Sequence, residues 1–180
     1  RSENAYRDLG MIYFYEKDKP RKALKYFEKA LLNAGNNANL YNNTCLRLMK
    51  VHRELGNPKE VKRYFDLVME SWKKEYGSIE LFVQSLYHEP SRLYDVAVCY
   101  ILIGDLETAE QYLKRIQKAP MCRKCTCKEC SDAVELEGIL AAERGDFVHA
   151  AECLERVVAM MPNDRESLYR LRKIRKKLGK

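Results

Sequence analysis

The sequence predicts an all-α solenoid of about four helix pairs closed by a C-terminal capping helix. Two observations carry that prediction. Four segments repeat one helix–turn–helix pattern, and the apolar residues of each second helix recur at offsets of four and then three. Such offsets keep one stripe on one helical face, which must pack against a neighbour. The composition agrees: 180 residues, 46% apolar and 33% charged, suit one repeat array with a continuous core. Twelve tyrosines and the recurring leucines exclude disorder, while eight glycines and five prolines exclude a collagen-like chain. No apolar run approaches the roughly 18 residues of a membrane span, and no secretory apolar segment opens the chain. Because Arg1 and not Met comes first, the sequence is expected to be a piece of a longer protein.

Around their turns the four segments read YEKDKPRKALKYFEKAL, HRELGNPKEVKRYFDLV, YILIGDLETAEQYLKRI and AAERGDFVHAAECLERV. The second helix of each carries a small or β-branched residue in its first turn: Ala23, Val61, Ala109 and Ala150. Four residues on stand Phe27, Phe65, Leu113 and Leu154, and three further on Ala30, Val68, Ile116 and Val157. In the first helices Leu9, Leu48, Val96 and Glu137 precede Gly10, Met49, Ala97 and Gly138. Three of those four are small enough for two helix backbones to approach closely. Tyr13, His52, Tyr100 and Ala141 follow three residues later.

These residues resemble the tetratricopeptide repeat (TPR), whose consensus sets an aromatic, Leu-Gly, Tyr, Gly, Ala, Phe, Ala and Pro over about 34 residues. The first repeat matches through Tyr6, Leu9, Gly10, Tyr13, Ala23, Phe27 and Ala30, with one extra residue in its turn. The fourth has Gly138, Gly145, Ala150 and Pro162 in register, but Glu137 where Leu is expected. The resemblance covers nearly the whole chain and implies a right-handed α-α superhelix. It places repeats at about 3–36, 38–71, 90–119 and 131–163. Function is less specified, because TPR arrays are generic partner-binding surfaces.

Departures from the period locate the additions. Gly56, Gly104 and Gly145 stand 48 and 41 residues apart, roughly fourteen and seven more than the period. The first addition lies in 71–90, where Ser78 can cap an inserted helix over 78–88 with Ile79, Phe82, Leu86 and Tyr87 on one face. The second is a cysteine loop at 119–131, after which Asp132 and Glu135 spell a capping box. Residues 164–179 then form one helix with Leu168, Leu171, Ile174 and Leu178 inward, the polar-backed cap a solenoid needs.

The charge is concentrated there. Residues 1–164 hold 25 basic and 25 acidic residues, whereas 165–180 hold eight basic residues against Glu166. Eight clustered cations would suffice to attract nucleic acid or an acidic surface. No aromatic platform or nucleic-acid motif accompanies them, so this is the second reading. A third is a regulatory segment of a larger enzyme or transcription regulator.

Cys122, Cys125, Cys127 and Cys130 form C-x2-C-x-C-x2-C, two pairs that could each offer two thiolates to a tetrahedral metal. Arg123, Lys124 and Lys128 would favour those thiolates. A structural zinc is expected before an iron–sulfur cluster, and a metal-less loop is the alternative, since Thr126 alone separates the two pairs. Cys45, Cys99 and Cys153 fall on repeat-core positions, the last replacing Tyr26, Tyr64 and Tyr112. Seven cysteines without a signal peptide suggest a reducing, cytoplasmic setting.

No catalytic pattern appears. His52, His88 and His149 are far apart, with no phosphate loop and no H-E-x-x-H, so the chain is expected not to be an enzyme. In a TPR array the first helices line the groove. The resemblance therefore implies partner contacts at Asn4, Arg7, Asn43, Arg47, Lys50, Tyr94 and Asp95, with Met11, Ser91, Val98, Asp132, Glu135, Leu136 and Ile139 also outward. The groove would run from basic to acidic and favour an acidic peptide at Arg7, Arg47 and Lys50. Some TPR arrays clamp a chaperone's C-terminal carboxylate. The matching positions here are Arg7, Met11, Arg47, Ser91 and Asp95; only Arg7 keeps the charge type and Asp95 reverses it, so that clamp is not expected.

Overall fold

The computed structural model describes residues 2–84, 89–118 and 130–180, and every regular element among them is helical. Most of the chain follows one rule, antiparallel helix pairs whose second helix also packs on the next first helix. Two compact units result, Arg1–Phe82 and Val83–Lys180.

The first unit contains α1 (Ser2–Met11), α2 (Pro20–Leu32), α3 (Ala38–Glu54) and α4 (Pro58–Tyr76), and α5 (Ile79–Gln84) begins within it. Neighbours pack in chain order, α1 on α2, α2 on α3 and α3 on α4. The second unit contains α6 (Glu89–Ile103), α7 (Leu106–Lys118), α8 (Ser131–Glu143), α9 (Phe147–Met160) and α10 (Arg165–Lys177). There α6 pairs with α7 and α8 with α9, while α8 also packs on both α6 and α7. This is a TPR-like helical repeat. All twelve residues of the second-helix stripe, from Ala23 to Val157, are buried. Removing each large one from water is worth roughly 1.5–3 kcal/mol, which drives the pairing. Leu48 and Val96 are fully buried at the first-helix register. Leu9 instead stands 37% exposed.

The small residues act as expected. A Cβ on Gly10 would lie 2.6 Å from the Phe27 ring, and one on Gly138 would lie 2.9 Å from Cys153 Cβ. Helix starts are capped by side chains that accept orphan backbone N–H groups. Asn37 takes Leu40 N at 3.0 Å, Ser78 takes Leu81 N at 3.1 Å and Asp164 takes Ser167 N at 2.8 Å. The expected box at Asp132 and Glu135 does not form. Cys130 flanks α8 without a side-chain cap, Asp132 sits in the first turn, and Glu135 turns inward.

The extra residue of the first repeat lies in the helix, not in its turn. Ile12–Glu16 is a π-helical stretch. The turn-closing bond shows the insertion directly: Lys19 N donates to Tyr13 O six residues back, whereas Asn57, Asp105 and Asp146 donate to His52, Tyr100 and Ala141 five back. The widened turn brings consecutive Phe14 and Tyr15 inward, their rings 4.9 Å apart.

In the turns themselves Gly56, Gly104 and Gly145 adopt φ of 70°, 89° and 84°. In the first turn Asp18 takes that left-handed place at φ 49°, where a Cβ is disfavoured. Replacing Asp18 with glycine should therefore raise stability by about 0.5–1 kcal/mol. Urea unfolding with an unchanged slope would show it; a loss would mean that the aspartate side chain contributes more than its backbone costs.

Candidate partner-binding surface

In the first unit, α1 and α3 carry the basic residues of the expected groove. Arg47 Nη1 donates to the buried Tyr15 Oη at 2.8 Å, and its guanidinium lies 5.6 Å from the ring centroid. The π-helical stretch, by turning Tyr15 inward, thus supplies the group that orients Arg47. Arg7 is half-buried, its Nη2 3.3 Å from Asp8 Oδ1 and its buried Nε without a hydrogen-bond partner among the described residues. Lys50 is half-buried, while Asn4 and Asn43 are exposed. Asn43 Nδ2 donates to Asn39 O at 3.0 Å on its own helix.

The second unit departs from the expected outward face. Val98, Glu135, Leu136 and Ile139 are buried, and Tyr94, Asp95, Ser91 and Asp132 are half-buried. The cause is that α6, α8 and α10 share a polar seam. Ser91 Oγ donates to Asp132 Oδ2 at 3.1 Å, and Ser167 Oγ, which donates to Asp164 Oδ2 at 2.7 Å, also lies 3.2 Å from Glu135 Oε1. Arg170 lies between two carboxylates, its Nη2 2.6 Å from Glu166 and its Nε 3.5 Å from Glu135. Burial holds the Tyr94 hydroxyl well above the usual tyrosine range, and the negative charge of Glu135 adds to the effect. The acidic residues of this end are thus largely committed within the protein.

The capping helix α10 packs Leu171 and Ile174 against Ala150, Ala151 and Leu154 of α9, with Leu178 at the margin. Ser167 and Tyr169 are buried as well, whereas Leu168 is only half-buried. Some of its charges pair inside the unit, as Arg175 does with Glu155 at 3.1 Å.

Of the cysteine loop, Cys122, Cys125 and Cys127 lie outside the described residues, and Cys130 is half-buried beside α8. His88 and Leu86 also lie outside them. Cys45, Cys99 and Cys153 are fully buried, and burial pushes the Cys45 thiol up to about 12. His52 stacks on Tyr64 with ring centroids 5.7 Å apart, and burial lowers its pKa. It packs as the repeat tyrosines do. Among the described residues one set of metal-ligating groups converges, Glu137, His149 and Cys153, whose ligand atoms lie within 4.8 Å of one another.

No protein-family model matches the sequence, and no curated protein matches it. Solved structures with similar architecture include PilW, a widely conserved type IV pilus biogenesis factor, at 19% identity and a TM-score of 0.44. That alignment covers 92% of this chain and 65% of the PilW chain, so this chain spans less than two thirds of PilW. A tetratricopeptide repeat protein from Parabacteroides merdae ATCC 43184 aligns at 15% identity with a TM-score of 0.41, covering 99% of this chain and 74% of the other. No helix among the described residues is long and apolar enough to cross a membrane.

Proposed function

We propose that the chain is a non-catalytic protein-interaction module that binds an acidic peptide segment along α1 and α3. The observation that supports it most is the oriented Arg47 fork, held by the buried Tyr15 hydroxyl between Arg7 and Lys50 in sequence. A guanidinium fixed in place loses less entropy on meeting a carboxylate, and its planar donors suit bidentate pairing. In the second unit Asp132 and Glu135 engage Ser91, Ser167 and Arg170, so the reading rests on the basic residues of α1 and α3.

Fluorescence anisotropy with a pool of Asp/Glu-rich peptides, against a Lys-rich pool, tests this reading. The wild type should prefer the acidic pool, with affinity falling as salt rises. Arg47→Glu should weaken binding at least tenfold, mainly through slower association. Arg47→Gln keeps a donor for Tyr15 and separates loss of charge from loss of fold. Equal binding of the two pools, or indifference to reversal of Arg7, Arg47 and Lys50 together, would remove the proposal.

A further inference from the structure

The fourth helix pair departs from the other three at four register positions, and the departures meet in one place. The first three pairs each stack an aromatic ring of the first helix on a tyrosine of the second: Tyr13 on Tyr26 at 5.2 Å, His52 on Tyr64 at 5.7 Å and Tyr100 on Tyr112 at 5.9 Å. In the fourth pair Ala141 and Cys153 stand at those positions, so both rings are missing. Where the other pairs have Leu9, Leu48 and Val96, this one has Glu137. Where they have Lys22, Glu60 and Thr108, it has His149.

Three of the four replacements are metal-ligand types, and the folded chain brings their ligand atoms together. His149 and Cys153 are one helical turn apart on α9, with Nε2 3.7 Å from Sγ. Glu137 reaches across from α8 to place Oε1 2.8 Å from the same Nε2. We propose that Glu137, His149 and Cys153 form a mononuclear Zn²⁺ site whose fourth position opens to solvent.

The distances suit the ion. With bonds of about 2.0–2.3 Å, tetrahedral zinc holds its ligand atoms roughly 3.3–3.6 Å apart. The nitrogen–sulfur separation of 3.7 Å is close to this, all three ligand atoms lie within 4.8 Å of one another, and the carboxylate oxygen must move out from 2.8 Å to make room for the ion. Cys153 is fully buried, where a thiolate needs an adjacent cation, and thiolate plus carboxylate would neutralise Zn²⁺. The other ring nitrogen of His149, Nδ1, lies 3.7 Å from Glu152 Oε2, so a carboxylate stands behind the imidazole on the side away from the metal. On the open side Glu137 and His149 border a pocket of about 350 Å³ that is also lined by Glu110, Lys114 and Arg144. A water can complete the shell from there. Gly138 belongs to the same arrangement, since its missing side chain lets α8 approach Cys153 closely enough for Glu137 to reach.

Cobalt(II) titration tests the site, using the 180-residue chain in which Cys122, Cys125, Cys127 and Cys130 are all serine, so that the loop cannot contribute thiolates. One equivalent should bind with a thiolate-to-cobalt charge-transfer band and tetrahedral visible bands. Zn²⁺ should displace it and raise the melting temperature. His149→Ala, at a side chain 42% exposed, should weaken binding at least tenfold with unchanged helicity. Cys153→Ser should abolish the charge-transfer band, and Glu137→Gln should weaken binding. Absence of the band in folded protein, or a band that survives both His149→Ala and Cys153→Ser, would overturn the proposal.

Discussion

Replacing Arg170 with leucine should destabilise the second unit by about 3–5 kcal/mol, because it takes away the cation beside the buried Glu135 carboxylate. Glu135 is only 6% exposed, and Arg170 approaches both it and Glu166. Removing one partner of a buried pair costs far more than the pair is worth intact, since the charge left behind keeps its desolvation penalty. The double variant Glu135→Leu/Arg170→Leu should therefore recover much of the loss. Urea unfolding followed by circular dichroism measures both. Additive losses in the double variant would mean that the two side chains act independently and that the seam is not an electrostatic unit. If Arg170 is needed to hold Glu135, that carboxylate serves the packing of the second unit.

That seam shows where the sequence stops being legible. The second-helix stripe can be read directly, because a period of four and three needs no knowledge of what lies opposite. Asp132 and Glu135, at a spacing of three, read as a local cap for the same reason. What turns Glu135 inward is Ser167, 32 residues away, together with Arg170, and local spacing carries no information about them. The extra residue between Leu9 and Ala23 was visible in the count. Its place was not, since a turn and a π-helical stretch absorb one residue equally well in sequence. The bond from Lys17 N to Ile12 O, five residues back, puts it inside the helix.

The converging ligands left a signal that register comparison could have found. Cys153 taken alone reads as a small core residue, and Glu137 alone as a solvated face. Set against the other three pairs, the loss of both stacking rings coincides with the gain of His, Cys and Glu. That coincidence is visible only once each fourth-pair residue is compared with its three equivalents. For the cysteine loop the sequence stands alone as evidence. Its four thiols remain a proposal for a second, structural zinc, separable from the first because that site is tested with the loop cysteines replaced.

Phe82→Ala should cost about 3–5 kcal/mol, whereas Leu81→Ala, one residue earlier, should change stability by less than about 0.5 kcal/mol. The sequence expects the inserted helix to be anchored by its apolar face, and α5 carries Phe82 at 0% exposure while Leu81 is 54% exposed. The Phe82 ring stacks on Trp72 with centroids 4.1 Å apart and meets the edge of Tyr76 at 5.3 Å. Deleting it removes the ring that packs on Trp72 and Tyr76 of α4 and leaves a cavity in its place, which sets the size of the loss. Trp72 is the only tryptophan, so its fluorescence reports the same event locally. Phe82→Ala should shift its emission to longer wavelength before global unfolding, and Leu81→Ala should not. Equal effects of the two substitutions would mean that α5 is held by its chain connections alone, and the insertion would then lose its role as a packed element of the first unit.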